Sequence, residues 1–125
     1  MIKQEKIAVV SGCYDPLSFE DSKFLEMCKS KADWLIVGIH SDLACILKTG
    51  NLSFSYQTRR KLMETREYVD EIFQFDDSDG TSINLLKVVK ACYPKAQIFY
   101  VSEENMENTP ETKVRGITFI TLKQE

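Results

Sequence analysis

The chain has 125 residues, enough for one domain of ordinary size and too few for two. It is 43% hydrophobic and 28% charged, with a formal net charge of −3. That balance excludes a broad nucleic-acid-binding face, which needs clustered excess Lys and Arg, and no apolar run approaches the roughly 20 residues that cross a bilayer. The opening Met-Ile-Lys-Gln-Glu-Lys is charged and leads into a strand pattern without the apolar stretch of an export signal. Cys13, Cys28, Cys45 and Cys92 show neither CxxC nor zinc-ligand spacing. The expectation is a cytoplasmic protein with four reduced thiols and no membrane or nucleic-acid partner.

In chain order, Ile7-Ala8-Val9-Val10 is an apolar run stopped by Ser11-Gly12, as in a buried parallel strand. Residues 22–31 place Phe24, Leu25, Met27 and Cys28 on one side and Lys23, Glu26 and Lys29 on the other, which is helical spacing. Trp34–Ile39 reads as the second strand, and residues 42–54, with a Lys-Thr-Gly-Asn turn, as a loop over the sheet edge. Ser55, a favoured N-cap, opens a helix running to about Tyr68, with Leu62, Met63 and Val69 facing inward. Ile72–Phe75 forms a third strand before the turn cluster Asp76-Asp77-Ser78-Asp79-Gly80. A third helix spans 82–92 through Ile83, Leu86, Val89 and Lys90; strands at Gln97–Val101 and Ile117–Leu122 complete the chain, with 103–116 irregular.

Strands alternating with helices predict a single α/β domain over residues 1–125, Rossmann-like, with a five-stranded, mainly parallel sheet covered by helices on both faces. Such sheets bind ligands beyond the carboxyl ends of their strands, which singles out the loops beginning at Ser11, His40, Asp76 and Ser102.

The segment Ser11-Gly12-Cys13-Tyr14-Asp15-Pro16-Leu17 resembles the opening of the cytidylyltransferase-like nucleotidyltransferases, of the glycerol-3-phosphate cytidylyltransferase type. Their first loop reads roughly G-x-F-D-x-x-H-x-G-H. The likeness continues through Lys23–Glu26, Ala32–Ile39 and Ser41-Asp42, and resumes at Arg59, Glu64-Thr65 and Tyr68-Val69-Asp70-Glu71-Ile72. It implies a nucleotidyltransferase-type fold, a CTP-like nucleotide as ligand and a homodimer; Mg²⁺ with a nucleoside triphosphate is the cofactor that the acidic residues Glu20 and Asp21 would bring. Carried onto this chain, it marks Gly12, Cys13, Tyr14, Asp15, Lys48 and Arg59 as nucleotide-binding positions, and Ser18 and Asp21 as the catalytic positions. Lys48 and Arg59 have bland readings as well, an exposed loop lysine and a solvated helix charge. Tyr14 and Asp15 are also explained by loop packing and by backbone hydrogen bonding in a turn.

The catalytic positions are altered. Ser18 stands where the family has its first His, Glu20 at the motif glycine and Asp21 at the second His. As the resemblance implies, the two imidazoles serve phosphates at a helix N-terminus, where anions are favoured. Two carboxylates there repel a triphosphate: unit charges about 4 Å apart at an effective dielectric near 20 interact by roughly 4 kcal/mol. A micromolar affinity amounts to about 8 kcal/mol. Read structurally, Ser18-Phe19-Glu20-Asp21 is close to a capping box. Read functionally, Glu20 and Asp21, with Asp15, hold Mg²⁺. The family's C-terminal Arg-Thr-x-Gly-x-Ser-Thr signature has no counterpart; Arg115-Gly116 does not replace it. His40, which ends the second strand, matches no family His and is a substitute catalyst only in a minor reading.

The leading expectation is a member with a degraded catalytic motif, weak or no catalysis, and a binding or assembly role. The alternative is an active nucleotidyltransferase moving CMP or another nucleotidyl group to a small phosphorylated alcohol, with Mg²⁺ held by Glu20 and Asp21.

Overall fold

The computed structural model describes residues 5–123. Its elements run β1 (Lys6–Gly12), α1 (Phe19–Ser30), β2 (Trp34–Ile39), α2 (Asp42–Thr49), α3 (Tyr56–Glu64), β3 (Glu71–Phe73), α4 (Ile83–Cys92), β4 (Gln97–Ser102) and β5 (Ile117–Thr121), with a short 3₁₀ turn at Pro110–Lys113 before β5. The sheet has five strands in the order β3-β2-β1-β4-β5, and every pairing is parallel. The Rossmann-like expectation holds, with the sheet wholly rather than mainly parallel. The chain adds strands outward from β1 on one side and then returns to add β4 and β5 on the other. This leaves a switch point between β1 and β4 at the carboxyl edge.

Alternation along β1 builds both halves of the core. Ile7 and Val9 join Leu85, Leu86 and Val89 of α4 on one face, while Ala8 and Val10 meet Phe24, Leu25 and Cys28 of α1 and Met63 of α3 on the other. Gly38 makes the first layer possible, because a Cβ there would sit 2.4 Å from Leu85 Cδ2.

The Tyr68–Ile72 block is architectural. Tyr68 hydrogen-bonds Ser22; Asp70 receives Lys29 Nζ at 2.6 Å and the Leu35 amide at 2.7 Å. Glu71 accepts the Trp34 indole at 2.9 Å and the Tyr93 hydroxyl. Those contacts pin α1, β2 and β3 together and explain why this stretch is so legible.

Three expectations need correction. Residues 42–54 are not all loop: Asp42–Thr49 is a helix, capped by Ser41 Oγ accepting the Ala44 amide at 3.2 Å and closed by Gly50 at φ 80°. Its period is hidden in the sequence because Cys45 is its only buried residue, while Leu43, Ile46 and Leu47 lie exposed. Helix α3 stops at Glu64 rather than near Tyr68, and Leu62 faces solvent while Met63 is buried. Strand β3 ends at Phe73, so Phe75 enters the core from the following loop.

Candidate functional site

A cavity of about 1020 Å³ opens at the carboxyl edge of the sheet. Ser11, His40, Asp76 and Ser102, the four loop origins singled out from the sequence, all line it. Its floor is a hydroxyl cluster in which Ser11 Oγ lies 2.8 Å from Ser82 Oγ and 2.7 Å from the Tyr100 hydroxyl. Burial raises the Tyr100 phenol despite its hydrogen bonds with Ser11 and Ser82, which keeps it neutral.

The β1–α1 loop forms one wall. Tyr14 has φ 50°, a left-handed conformation that costs a non-glycine residue about 1 kcal/mol. It folds the ring back over Gly12, where an added Cβ would come within 2.9 Å of Tyr14 Cζ. Burial, helped by the Asp21 charge, pushes the Tyr14 phenol well above its ordinary value. Gly12, Cys13, Tyr14 and Asp21 line the cavity, as does Lys48 on exposed α2.

Asp15, Ser18 and Arg59 are not among the lining residues. Asp15 accepts the amides of Ser53 and Phe54 at 2.7 and 2.6 Å, so its backbone role extends across the fold rather than within its own turn. Ser18 is the N-cap of α1: its hydroxyl accepts the Asp21 amide at 3.0 Å and its amide is accepted by Asp21 Oδ2 at 3.1 Å. The capping-box reading is the one found.

Arg59 is not the solvated helix charge expected, and it is not among the residues that line the cavity. Only 1% exposed, it donates to the carbonyls of Phe54, Cys13 and His40 at 3.0, 2.9 and 2.9 Å and to Asp42 at 2.7 Å. The guanidinium fork thus ties the β1–α1 loop, the end of β2 and both neighbouring helices into one unit.

The thiol expectation is corrected too. Cys13 and Cys45 are joined in a disulfide across 5.9 Å between their Cα atoms, while Cys28 and Cys92 are free. No short motif marks a pair separated by 32 positions. Only the crossing of the β1–α1 loop over α2 brings it together.

Asp77, Ser82 and Glu111 were not singled out from the sequence, and they shape the site. Buried Asp77 receives the Ser41 amide and hydroxyl, both at 2.8 Å, and His40 Nδ1 at 2.9 Å. Burial alone would raise this carboxyl; the Ser41 and His40 hydrogen bonds outweigh it and hold Asp77 below its ordinary value. His40, proposed only as a minor substitute catalyst, is thereby held by a carboxylate at the cavity wall. Glu111, from the 3₁₀ turn before β5, accepts the amide of Ser82, the N-cap of α4, at 2.8 Å.

Asp21, Asp77 and Glu111 thus each take an amide at the N-cap of α1, α2 or α4. Helix N-termini attract anions through their unpaired amides and dipole. Here the chain supplies its own anion at all three. With Asp76, Glu103 and Glu104, six carboxylates line the cavity against Lys48, the only Lys or Arg among its described lining residues. A low-dielectric cleft of one sign focuses its field on whatever enters.

Of the residues expected to hold Mg²⁺, Asp15 and Asp21 already accept backbone amides, Asp15 those of residues 53–54 and Asp21 that of Ser18. Among the described residues no three His, Cys, Asp or Glu side chains converge to hold a metal ion. Also among them, no helix is long and apolar enough to cross a membrane.

A family model described as cytidylyltransferase-like matches residues 9–123. The chain belongs to that family. It is 34% identical over 67 residues to glycerol-3-phosphate cytidylyltransferase from Bacillus subtilis, covering 54% of this chain and 52% of that one. It is 33% identical over 61 residues to ethanolamine-phosphate cytidylyltransferase from Mus musculus, covering 49% of this chain and 15% of that one. The chain therefore spans about half the length of the first relative and much less of the second. A solved lipopolysaccharide core biosynthesis protein from Thermoplasma volcanium superposes with TM-score 0.71 at 16% identity, covering 98% of this chain and 99% of that one, a likeness of fold alone. Against this cytidylyltransferase-like frame, the self-capped helices are local features laid on an ordinary architecture.

Proposed function

We propose that this cytidylyltransferase-like chain has weak or no nucleotidyl-transfer activity and serves as a binding module. Its cavity takes an uncharged or cationic nucleoside-like ligand in preference to a triphosphate. One observation carries the reading: the α1, α2 and α4 N-caps that border the cavity already hold the carboxylates of Asp21, Asp77 and Glu111. A triphosphate must displace or approach those anions, at roughly 4 kcal/mol per unit-charge contact near 4 Å before solvent screening. The serine and tyrosine hydroxyls on the floor and the carboxylates on the walls suit ring N–H, amino and sugar hydroxyl groups. Cys13 and Tyr14 would flank the ligand, and Lys48 would meet whatever negative charge it carries. Ser18 and Asp21, at the positions the resemblance marks as catalytic, are bonded to each other across the first turn of α1.

Calorimetric titration with cytidine, CMP and CTP, with and without Mg²⁺, tests the proposal. The expected affinity falls with each added phosphate, and pyrophosphate release from CTP with glycerol 3-phosphate stays at background. CTP binding tighter than cytidine, or turnover on the order of 1 s⁻¹, would overturn it and restore the active-enzyme alternative.

A second reading, assembly into a homodimer, is favoured by the exposed apolar side chains of α2: Leu43 is 65%, Ile46 41% and Leu47 78% exposed. Those positions fall on one helical stripe. Light scattering on the wild type and Leu47→Glu decides it: a dimer that the substitution splits supports assembly, and a monomer in both rejects it.

A further inference from the structure

We propose that Cys13 and Cys45 form a reversible disulfide, exchangeable with a small thiol such as glutathione, that fastens α2 over the cavity when oxidised and releases it when reduced. The proposal does not depend on which ligand the cavity holds.

Three placements carry it. First, the two sulfurs differ in access. Cys13 is half-buried and lines the cavity, whereas Cys45 is 1% exposed beneath α2. A thiolate entering the cavity therefore meets Cys13 Sγ. Second, the sulfur that would leave is prepared for charge: Arg59 Nη1 lies 3.6 Å from Cys45 Sγ, and the guanidinium is buried. A cation beside a cysteine favours its thiolate, and a better leaving thiolate speeds exchange. Third, α2 has little else to hold it. Cys45 is the only buried residue of its eight, and the remaining anchors are polar: Ser41 with Asp77 at the N-cap and Asp42 with Arg59. The same short helix gives Leu43, Ala44, Leu47 and Lys48 to the cavity wall.

The chemistry balances with two equivalents of thiol. One glutathione thiolate attacks Cys13 Sγ, the sulfur–sulfur bond breaks, and the electron pair leaves on Cys45 Sγ beside Arg59. A second glutathione thiolate attacks the glutathione sulfur of the mixed disulfide. That step releases Cys13 and forms glutathione disulfide, and both cysteines gain a proton. Glutathione disulfide drives the reverse direction. Cys28 takes no part: burial, reinforced by the Glu103 charge, pushes its thiol up to about 12. Cys92 is exposed and far along the chain, so its alkylation serves as an internal reference.

The test is equilibration of the folded protein in glutathione buffers from fully oxidised to fully reduced, followed by alkylation in denaturant and mass counting. Two labels are expected at the oxidised end and four at the reduced end. Hydrogen exchange of the amides of residues 45–49 is then compared between the two states. Reduction should speed it by roughly tenfold, equivalent to about 1.4 kcal/mol less local opening free energy. The double variant Cys13→Ser with Cys45→Ser should exchange like reduced wild type in either buffer. Four labels at the oxidised end would show that no bond forms. Two labels persisting in fully reduced glutathione would mark a permanent staple. Unaltered α2 exchange on reduction would show that the bond fastens nothing. Any of these three results overturns the proposal.

Discussion

Asp21 Oδ2 sits 3.1 Å from the Ser18 amide, and the Ser18 hydroxyl answers it at 3.0 Å from the Asp21 amide. The pair that stands where the family resemblance places two catalytic histidines is therefore spent on closing the first turn of α1. Two consequences separate. Asp21→Ala should cost about 1 kcal/mol of stability through the lost cap, read as a lower urea midpoint at an unchanged slope. Glu20→Gly with Asp21→His removes two negative charges at the helix start, of which only Asp21 lines the cavity. CTP binding should strengthen by about 1–3 kcal/mol after solvent screening, as measured by calorimetry. Unchanged binding would locate the exclusion of triphosphate at Asp77 and Glu111 instead.

Arg59 gives the sharpest contrast between an architectural and a ligand-binding role. Its removal leaves the carbonyls of Cys13, His40 and Phe54 without their donor and Asp42 without its cation. Breaking a buried charged network of this kind costs roughly 3–5 kcal/mol. Arg59→Ala should therefore lower the urea midpoint sharply. Arg59→Lys should recover little, because a single ammonium cannot serve a fork of donors. A variant of wild-type stability with altered nucleotide affinity would return Arg59 to the ligand.

The sheet was legible because burial on both faces writes its strands as unbroken apolar runs: Ile7–Val10, Leu35–Val37 and Ile98–Val101 need no context to be recognised. The carboxyl-edge rule then placed Ser11, His40, Asp76 and Ser102 around the cavity. What stayed hidden depends on tertiary partners. Helix α2 has no buried stripe to betray its period. The Arg59 side chain looks like its neighbours Arg60 and Lys61 until the loops that enclose it are folded. Cys13 and Cys45 carry no spacing signature. Glu111 acts from a short 3₁₀ turn at a position 29 residues from the amide it serves. Asp77 was within reach, since an acidic doublet in the loop after β3 lies where such sheets bind ligands, yet its Asp-, Ser- and Gly-rich surroundings read as a turn.

Asp77 should govern the acid side of the stability curve. Its folded-state carboxyl is held below the ordinary value, so its contribution is fully present above the unfolded value near 3.9 and is lost as pH falls through the folded one. Asp77→Asn gives up charge-assisted bonds from Ser41 and His40, worth about 1–3 kcal/mol. The gap between wild type and variant should be widest near pH 7 and shrink below about pH 4, as followed by urea unfolding across pH. A gap that is constant down to pH 2 would show that the Asp77 charge is not what stabilises the Ser41 cap.

The Cys13–Cys45 bond also makes a thermodynamic prediction separate from its exchange chemistry. Closing a loop over a separation of 32 residues removes conformational freedom from the unfolded chain worth about 3.7 kcal/mol at 25 °C in the chain-entropy model. Unfolding entropy near 2.1 cal/mol/K per residue converts that into a Tm difference of roughly 10–15 °C for a domain of this length. Oxidised protein should therefore melt well above protein held in dithiothreitol. The double variant Cys13→Ser with Cys45→Ser should match the reduced form and ignore the reductant. Because the stabilisation acts on the unfolded state, α4 and the β1–β4 core should gain global stability along with α2, so that their slowest-exchanging amides slow in parallel on oxidation. Equal melting temperatures for the two redox states would mean that the unfolded chain retains enough order around this loop for the cross-link to add nothing.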